Sequence, residues 1–210
     1  MVAVAGEERT YPRHPRDRAS GDARRRRILD EAAGELASHG WSAASVSRIA
    51  EGAGLRTSGL LHHFPNKAAL LLAALEQIDA TANARFARAA GPDPRGRAAV
   101  DGLVANVAAL LEHPDEARAS LVVAAEAVTD DHPAATWVQE RHRAFVGWFA
   151  ERLREAVADG ELRADLDPEV EAARLIANAH GALLMWLADP DLIDPAASLR
   201  SQVESLRAHS

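Results

Sequence analysis

Apolar residues recur along this chain at helical spacing, and the stretches between them are marked by glycine and proline. Ile28, Ala32, Ala33 and Leu36 fall on one face of an amphipathic helix expected over 22–38, with Asp22 or Ser20 as its cap and Gly40-Trp41 after its end. Two short helices follow at 45–52 and 56–62. A Leu/Ala helix spans 66–89 and is stopped by Gly91-Pro92-Asp93-Pro94. Further helices are expected at 96–112, 115–129, 134–158, 169–188 and 195–207, with a loop over 159–168. From Leu175 to Leu187 the 169–188 helix is apolar almost all round, interrupted by Asn178, His180 and Gly181, so it needs cover on every side. A second copy of the chain covers it more economically than a monomer does.

The segment 45–64 carries the most specific pattern. Ala50 is small where two helices cross, Gly54 suits a left-handed turn, and Leu60 anchors the second helix, which together describe a helix-turn-helix. With Ile28…Leu36…Gly40-Trp41 before it and His63-Phe64…Lys67…Leu70 after it, the stretch 24–75 resembles the DNA-binding domain of TetR-type (tetracycline-repressor-like) transcriptional regulators. The resemblance implies an all-α protein. A helix-turn-helix domain at 22–82 would be followed by a ligand-binding and dimerisation domain at 83–210, with 1–21 as a disordered basic arm. More loosely, Gly160-Glu161-Leu162-Arg163…Pro168…Gly181-Ala182-Leu183…Trp186-Leu187 is similar to the C-terminal domain of the choline-responsive regulators, which bears on architecture only.

Composition agrees with this reading. Aromatics are few and runs of β-branched residues are missing, which favours helices. The net charge of −7 looks wrong for a DNA binder until the chain is divided. Residues 1–67 carry eleven Lys/Arg against eight Asp/Glu, and residues 68–210 carry thirteen against twenty-three. The positive part therefore coincides with the helix-turn-helix. No apolar stretch reaches membrane-spanning length, no signal-peptide core begins the chain, and there is no cysteine, so a cytoplasmic protein is expected.

For DNA contact the residues in question are Arg24, Arg25, Ser45, Ser47, Arg48, Arg56, Thr57, Ser58, Gly59, Leu61, His62, His63 and Lys67. Arg24-Arg25-Arg26-Arg27 opens a helix where positive charge opposes the macrodipole, a cost that a nearby phosphate offsets; a solvated face screened by Asp30 and Glu31 is the alternative. Arg9, Arg13, Arg16 and Arg18 would extend that contact. Arg56 is placed to read a guanine or to hold a phosphate. The resemblance implies phosphate contacts at Ser45, His63 and Lys67. Gly59 and Leu61 depart from the family, which commonly has Thr and Tyr there, and Gly59 weakens a short helix by about 0.5–1 kcal/mol relative to Ala.

The resemblance also implies a small-molecule pocket in the C-terminal helices. Its candidate residues are Trp137, His142, Phe145, Phe149, Asn178 and His180, with Trp148 and Met185 beside them; for each, a place in the core or the dimer interface is the alternative. Neither cofactor nor metal is expected: His62 and His63 diverge on their helix, and Asp130-Asp131-His132 reads as a solvated turn. Nucleophile-elbow, P-loop, dinucleotide and zinc-protease motifs are all missing, so an enzyme is not expected. The expected function is a ligand-responsive repressor that binds a palindromic DNA operator as a homodimer. An activator on the same scaffold, or a helical ligand-binding or dimerisation protein with degenerate DNA binding, are the other readings.

Overall fold

A computed structural model describes residues 15–129 and 131–207, with side chains from Gly21 onward. Nine helices occur among these residues: α1 (Pro15–Ala43), α2 (Val46–Gly52), α3 (Thr57–His63), α4 (Lys67–Ala90), α5 (Gly96–Leu110), α6 (Pro114–Glu126), α7 (Ala135–Ala158), α8 (Pro168–Ala188) and α9 (Pro195–Ser205). The only strand-like pairing among them is a single bridge between Leu162 and Arg207.

Local sequence sets most helix starts. Asn66 Oδ1 accepts the Ala69 N–H at 2.8 Å at the head of α4. Asp167-Pro168 and Asp194-Pro195 open α8 and α9 in the same way. In each, the aspartate accepts two backbone N–H groups and the proline occupies the first helical position, where no N–H is needed. Elsewhere the cap comes from a distant part of the chain. The Gly96 N–H donates to Glu155 Oε2 and the Arg97 N–H to Glu161 Oε2, both at 3.0 Å, closing the start of α5 with carboxylates at and just beyond the end of α7.

Helix α1 differs from its expected course at both ends. It begins at Pro15, where a proline at the first position costs no hydrogen bond, so 15–21 is helical rather than an unstructured arm. Residues 1–14, with Arg9 and Arg13, lie outside the described residues. At the other end the helix continues past Ser38 to Ala43, through a break at Gly40 with φ 71° and ψ −176°.

Two apolar cores hold the helices. The first joins Ile28, Leu29 and Leu36 of α1, Ile49 and Ala50 of α2, Leu60 of α3 and Leu70, Leu71 and Leu75 of α4 to Ala119 and Val123 of α6 and Val138 of α7. The second joins Val100, Leu103 and Val107 of α5, Phe149 and Leu153 of α7, Leu175 and Ile176 of α8, and Leu199 and Val203 of α9. Helix α6 thus belongs to the same core as the helix-turn-helix, although it lies far from it in sequence. Helix α8 buries Ala172, Leu175, Ile176, Ala179, Ala182 and Leu183 and leaves Val170, Gly181, Leu184 and Met185 exposed on its other side. No described helix is long and apolar enough to cross a membrane.

Candidate DNA interface and cavity

The turn between α2 and α3 is built locally. Gly54 has φ 70°, its N–H donates to Glu51 O at 2.9 Å, and the Leu55 N–H reaches back to Ala50 O at 2.8 Å. This pair of bonds is a Schellman motif, which closes the end of α2 and turns the chain into α3. Ala50 and Leu60 are buried at the helix crossing. Arg56, Thr57 and Ser58 consequently lie exposed on the first turn of α3, followed on the same short helix by Leu61, which is 42% exposed, and His62.

Helix α2 is anchored from below by Glu35, a nearly buried carboxylate on α1. Its Oε1 accepts the Ser45 N–H at 2.8 Å and the Arg48 Nε–H at 2.9 Å, and Arg48 Nη2 closes an ion pair with it. Arg48 Nη2 also donates to Ala43 O at 2.9 Å. Burial alone would raise the Glu35 pKa, but the hydrogen bonds from Arg48 and the Ser45 N–H, with the charges of Arg48 and His39, outweigh it and hold it below the ordinary range. Arg48, expected on the DNA side, is therefore engaged with the protein. Ser45 caps α2 through its Oγ, which also bonds Ser47 Oγ at 2.9 Å.

A second cluster forms where the start of α1 meets the end of α3. The Arg25 guanidinium lies 5.1 Å from the centre of the Phe64 ring. His63 is held below its ordinary pKa by burial first, then by the charges of His62, Arg24 and Arg25. Lys67 Nζ donates to Ser42 O at 3.0 Å. Arg24 and Arg25 thus make a positive patch beside α3, with His62 and His63 next to it, the electrostatic setting that a phosphate backbone requires.

A cavity of about 470 Å³ is walled by α4 to α8. Its lining is mostly apolar, with Phe86, Phe145, Trp148 and Phe149 on one side and Leu103, Val107, Ile176 and Leu183 elsewhere. Of the residues expected from sequence, Phe145, Phe149 and His180 line it, together with Trp148. Trp137 packs on the first core instead. His142 stands behind His180, ring centres 5.2 Å apart, and lines a separate hollow with Val138 and Gln139. Asn178 is consumed within the chain: its Nδ2 donates to Gln202 Oε1 at 2.8 Å and its Oδ1 accepts the Ser198 hydroxyl at 3.0 Å. Met185 is exposed on the outer side of α8. The polar lining residues Asn83, Asn106, Glu116, Ser120 and Arg141 are not legible in the sequence, because nothing in the local pattern of α4 to α7 shows which polar residue faces a void.

Residues 28–74 match the family model described as bacterial regulatory proteins, tetR family, and residues 92–208 match that of the BetI-type transcriptional repressor, C-terminal domain. The chain belongs to the TetR family. It is a DNA-binding transcriptional regulator of that family. Among its relatives, the HTH-type transcriptional regulator UidR of Escherichia coli K12 is 28% identical over 160 residues, spanning 76% of this chain and 79% of UidR. A TetR-family regulator from Rhodococcus superposes with a TM-score of 0.74 at 25% identity, covering 89% of this chain and all of the other. SmeT of Stenotrophomonas maltophilia, in complex with triclosan, has the same fold, with a TM-score of 0.73 at 21% identity over 90% of this chain and 93% of SmeT.

Two outcomes follow from the site. Nothing lies within 4 Å of a Cβ built on Gly59. Gly59→Ala is therefore expected to stabilise the protein by about 0.5–1 kcal/mol in denaturant unfolding. Unchanged or lower stability would contradict the open space. The second outcome concerns His180. Burial, then the charges of His142 and Arg141, lower its pKa from 6.5 to about 4. The unfolded chain takes up a proton below pH 6.5 that the folded chain refuses until about pH 4, so this stability is complete above 6.5 and disappears as pH falls through that window. Unfolding free energies should show a loss on the order of 2–3 kcal/mol across it, reduced in His180→Phe. An equal loss in the variant would rule out His180 as the source.

Proposed function

We propose that this regulator is a repressor that binds a palindromic operator as a homodimer and releases it when a small molecule fills the cavity. The observation that carries this reading is the double duty of α6. Glu116, Ala117, Ser120 and Leu121 line the cavity, whereas Ala119 and Val123 lie in the helix-turn-helix core and Glu126 Oε2 accepts the Trp41 N–H at 2.6 Å. A ligand that shifts α6 shifts α1 with it. The sign of regulation is supported by the repressor description of the C-terminal family, and an effector by the triclosan bound to SmeT.

In this reading 22–82 is the DNA-reading unit and 83–210 the effector and dimerisation unit. Arg24, Arg25, Ser45, Ser47, His62, His63 and Lys67 hold phosphates, while Arg56, Thr57, Ser58 and Leu61 meet base edges. Gly59 leaves room for the DNA backbone to come close. Arg48 serves by fixing α2 through Glu35. The second copy packs on α8, whose outer face exposes Leu184 (60%) and Met185 (45%) alongside Val170. The resulting two-fold axis sets the recognition helices about 34–36 Å apart, one turn of DNA.

The test is binding of the purified protein to DNA flanking its own gene, against unrelated DNA, at two salt concentrations. A preference of roughly 10³-fold or more with a palindromic footprint is expected, together with loss of that preference in Arg56→Ala. Binding that is equal on both DNAs and steeply salt-dependent would mean that only the arginines are engaged, and would overturn the reading.

A further inference from the structure

We infer that the cavity takes an uncharged, largely apolar ring compound carrying a hydrogen-bond donor for Asn106. This rests on the cavity being the effector site, and it is argued from which groups around the cavity are already satisfied and which are not.

Only two fully charged residues line the cavity, and each is neutralised by the protein. Glu116 pairs with Arg85 at 2.5 Å, and Arg141 pairs with Asp79 at 2.6 Å. A charged ligand would have to break one of these pairs or sit desolvated beside it, and stranding a buried charge costs several kcal/mol. An anion is further opposed by the strong acid excess of residues 68–210. A cation would seek aromatic faces, but the chain already sets a guanidinium over two of the four aromatic rings on the wall, Phe145 and Trp148. The Arg141 guanidinium stands 4.6 Å from the Phe145 ring centre and 5.6 Å from that of Trp137, and Arg152 stands 5.2 Å from that of Trp148. No free carboxylate remains on the wall to replace them.

Neutral rings find better partners. Phe86, Trp148 and Phe149 meet edge to face, with centroids 4.9 to 6.1 Å apart, and a further flat ring extends the same packing. Among the lining side chains, the buried polar atom left without a partner is uncharged. Asn106 lines the cavity, and its buried Oδ1 has no hydrogen-bond partner in the protein. A buried acceptor left unpaired is unusual enough that a ligand donor is its natural complement.

Calorimetric titration of the full-length protein with four probes tests this: β-naphthol, β-methylnaphthalene, β-naphthoate and phenyltrimethylammonium. β-Naphthol is expected to bind about tenfold or more tightly than either charged probe. Asn106→Leu, which keeps the volume and removes the amide, should weaken β-naphthol about 3- to 10-fold and leave β-methylnaphthalene unchanged. The inference is overturned if a charged probe binds as tightly, if Asn106→Leu weakens both neutral probes equally, or if no probe binds. Operator affinity measured alongside separates the two levels. β-Naphthol that binds as expected without loosening the operator would refute the cavity as control site and keep the ligand class. A charged probe that binds and releases the operator would do the reverse.

Discussion

Within the apolar core that the helix-turn-helix shares with α6, one carboxylate fixes the break in α1 that leads the chain into α2. Glu126, at the end of α6, accepts the N–H groups of Trp41 at 2.6 Å and Ser42 at 3.3 Å. Those donors are free because α1 breaks at Gly40, whose φ of 71° and ψ near 180° suit glycine alone. A Cβ at Gly40 would stand 3.1 Å from both Glu126 oxygens and from Val122. The break is thus a socket shaped for this side chain, with Trp41 buried beside it and its ring 5.1 Å from that of His132. From the socket, contacts run outward to the DNA side. Ser42 O receives Lys67 at the head of α4, and Ala43 O receives Arg48, which Glu35 holds on α2.

The same device recurs at three other backbone N–H groups. Glu35 serves the Ser45 N–H, Glu155 the Gly96 N–H and Glu161 the Arg97 N–H. Backbone donors at helix starts carry partial positive charge, so a carboxylate brought from another helix satisfies both the hydrogen bond and the field. This explains how an acid-rich chain is reconciled with DNA binding. Several of its carboxylates are engaged by the protein's own donors, while Arg24, Arg25, Arg56 and His62 remain exposed.

What the sequence made legible is what residues decide over short distances. The Gly54 turn is settled by hydrogen bonds within six residues, and the caps at Asn66, Asp167 and Asp194 within three. Phe145, Phe149 and His180 line the cavity that the family resemblance implies among these helices. The course of α1 past Ser38 was not legible, since Gly40-Trp41 reads as a stop unless a carboxylate 85 residues away is known to meet it. The role of Asn178 is hidden in the sequence for a related reason. Periodicity shows that a polar residue lies on a buried face, but not that Gln202 and Ser198 of α9 await it. Arg48 looked outward by helical position, and only the fold shows Glu35 drawing it back.

The most direct test of this account is whether Glu126 fixes the orientation of the DNA-reading unit. The chain contains no cysteine, so Glu51→Cys on the exposed end of α2 accepts a single spin label in each copy. Pulsed electron paramagnetic resonance then gives the distance between the two helix-turn-helix units of the proposed dimer. The account predicts one narrow distribution with Glu126 intact and a broad one in Glu126→Ala, with helix content unchanged by circular dichroism. A distribution equally narrow in the variant would contradict it, because the helix-turn-helix would then be held without the Glu126 contact.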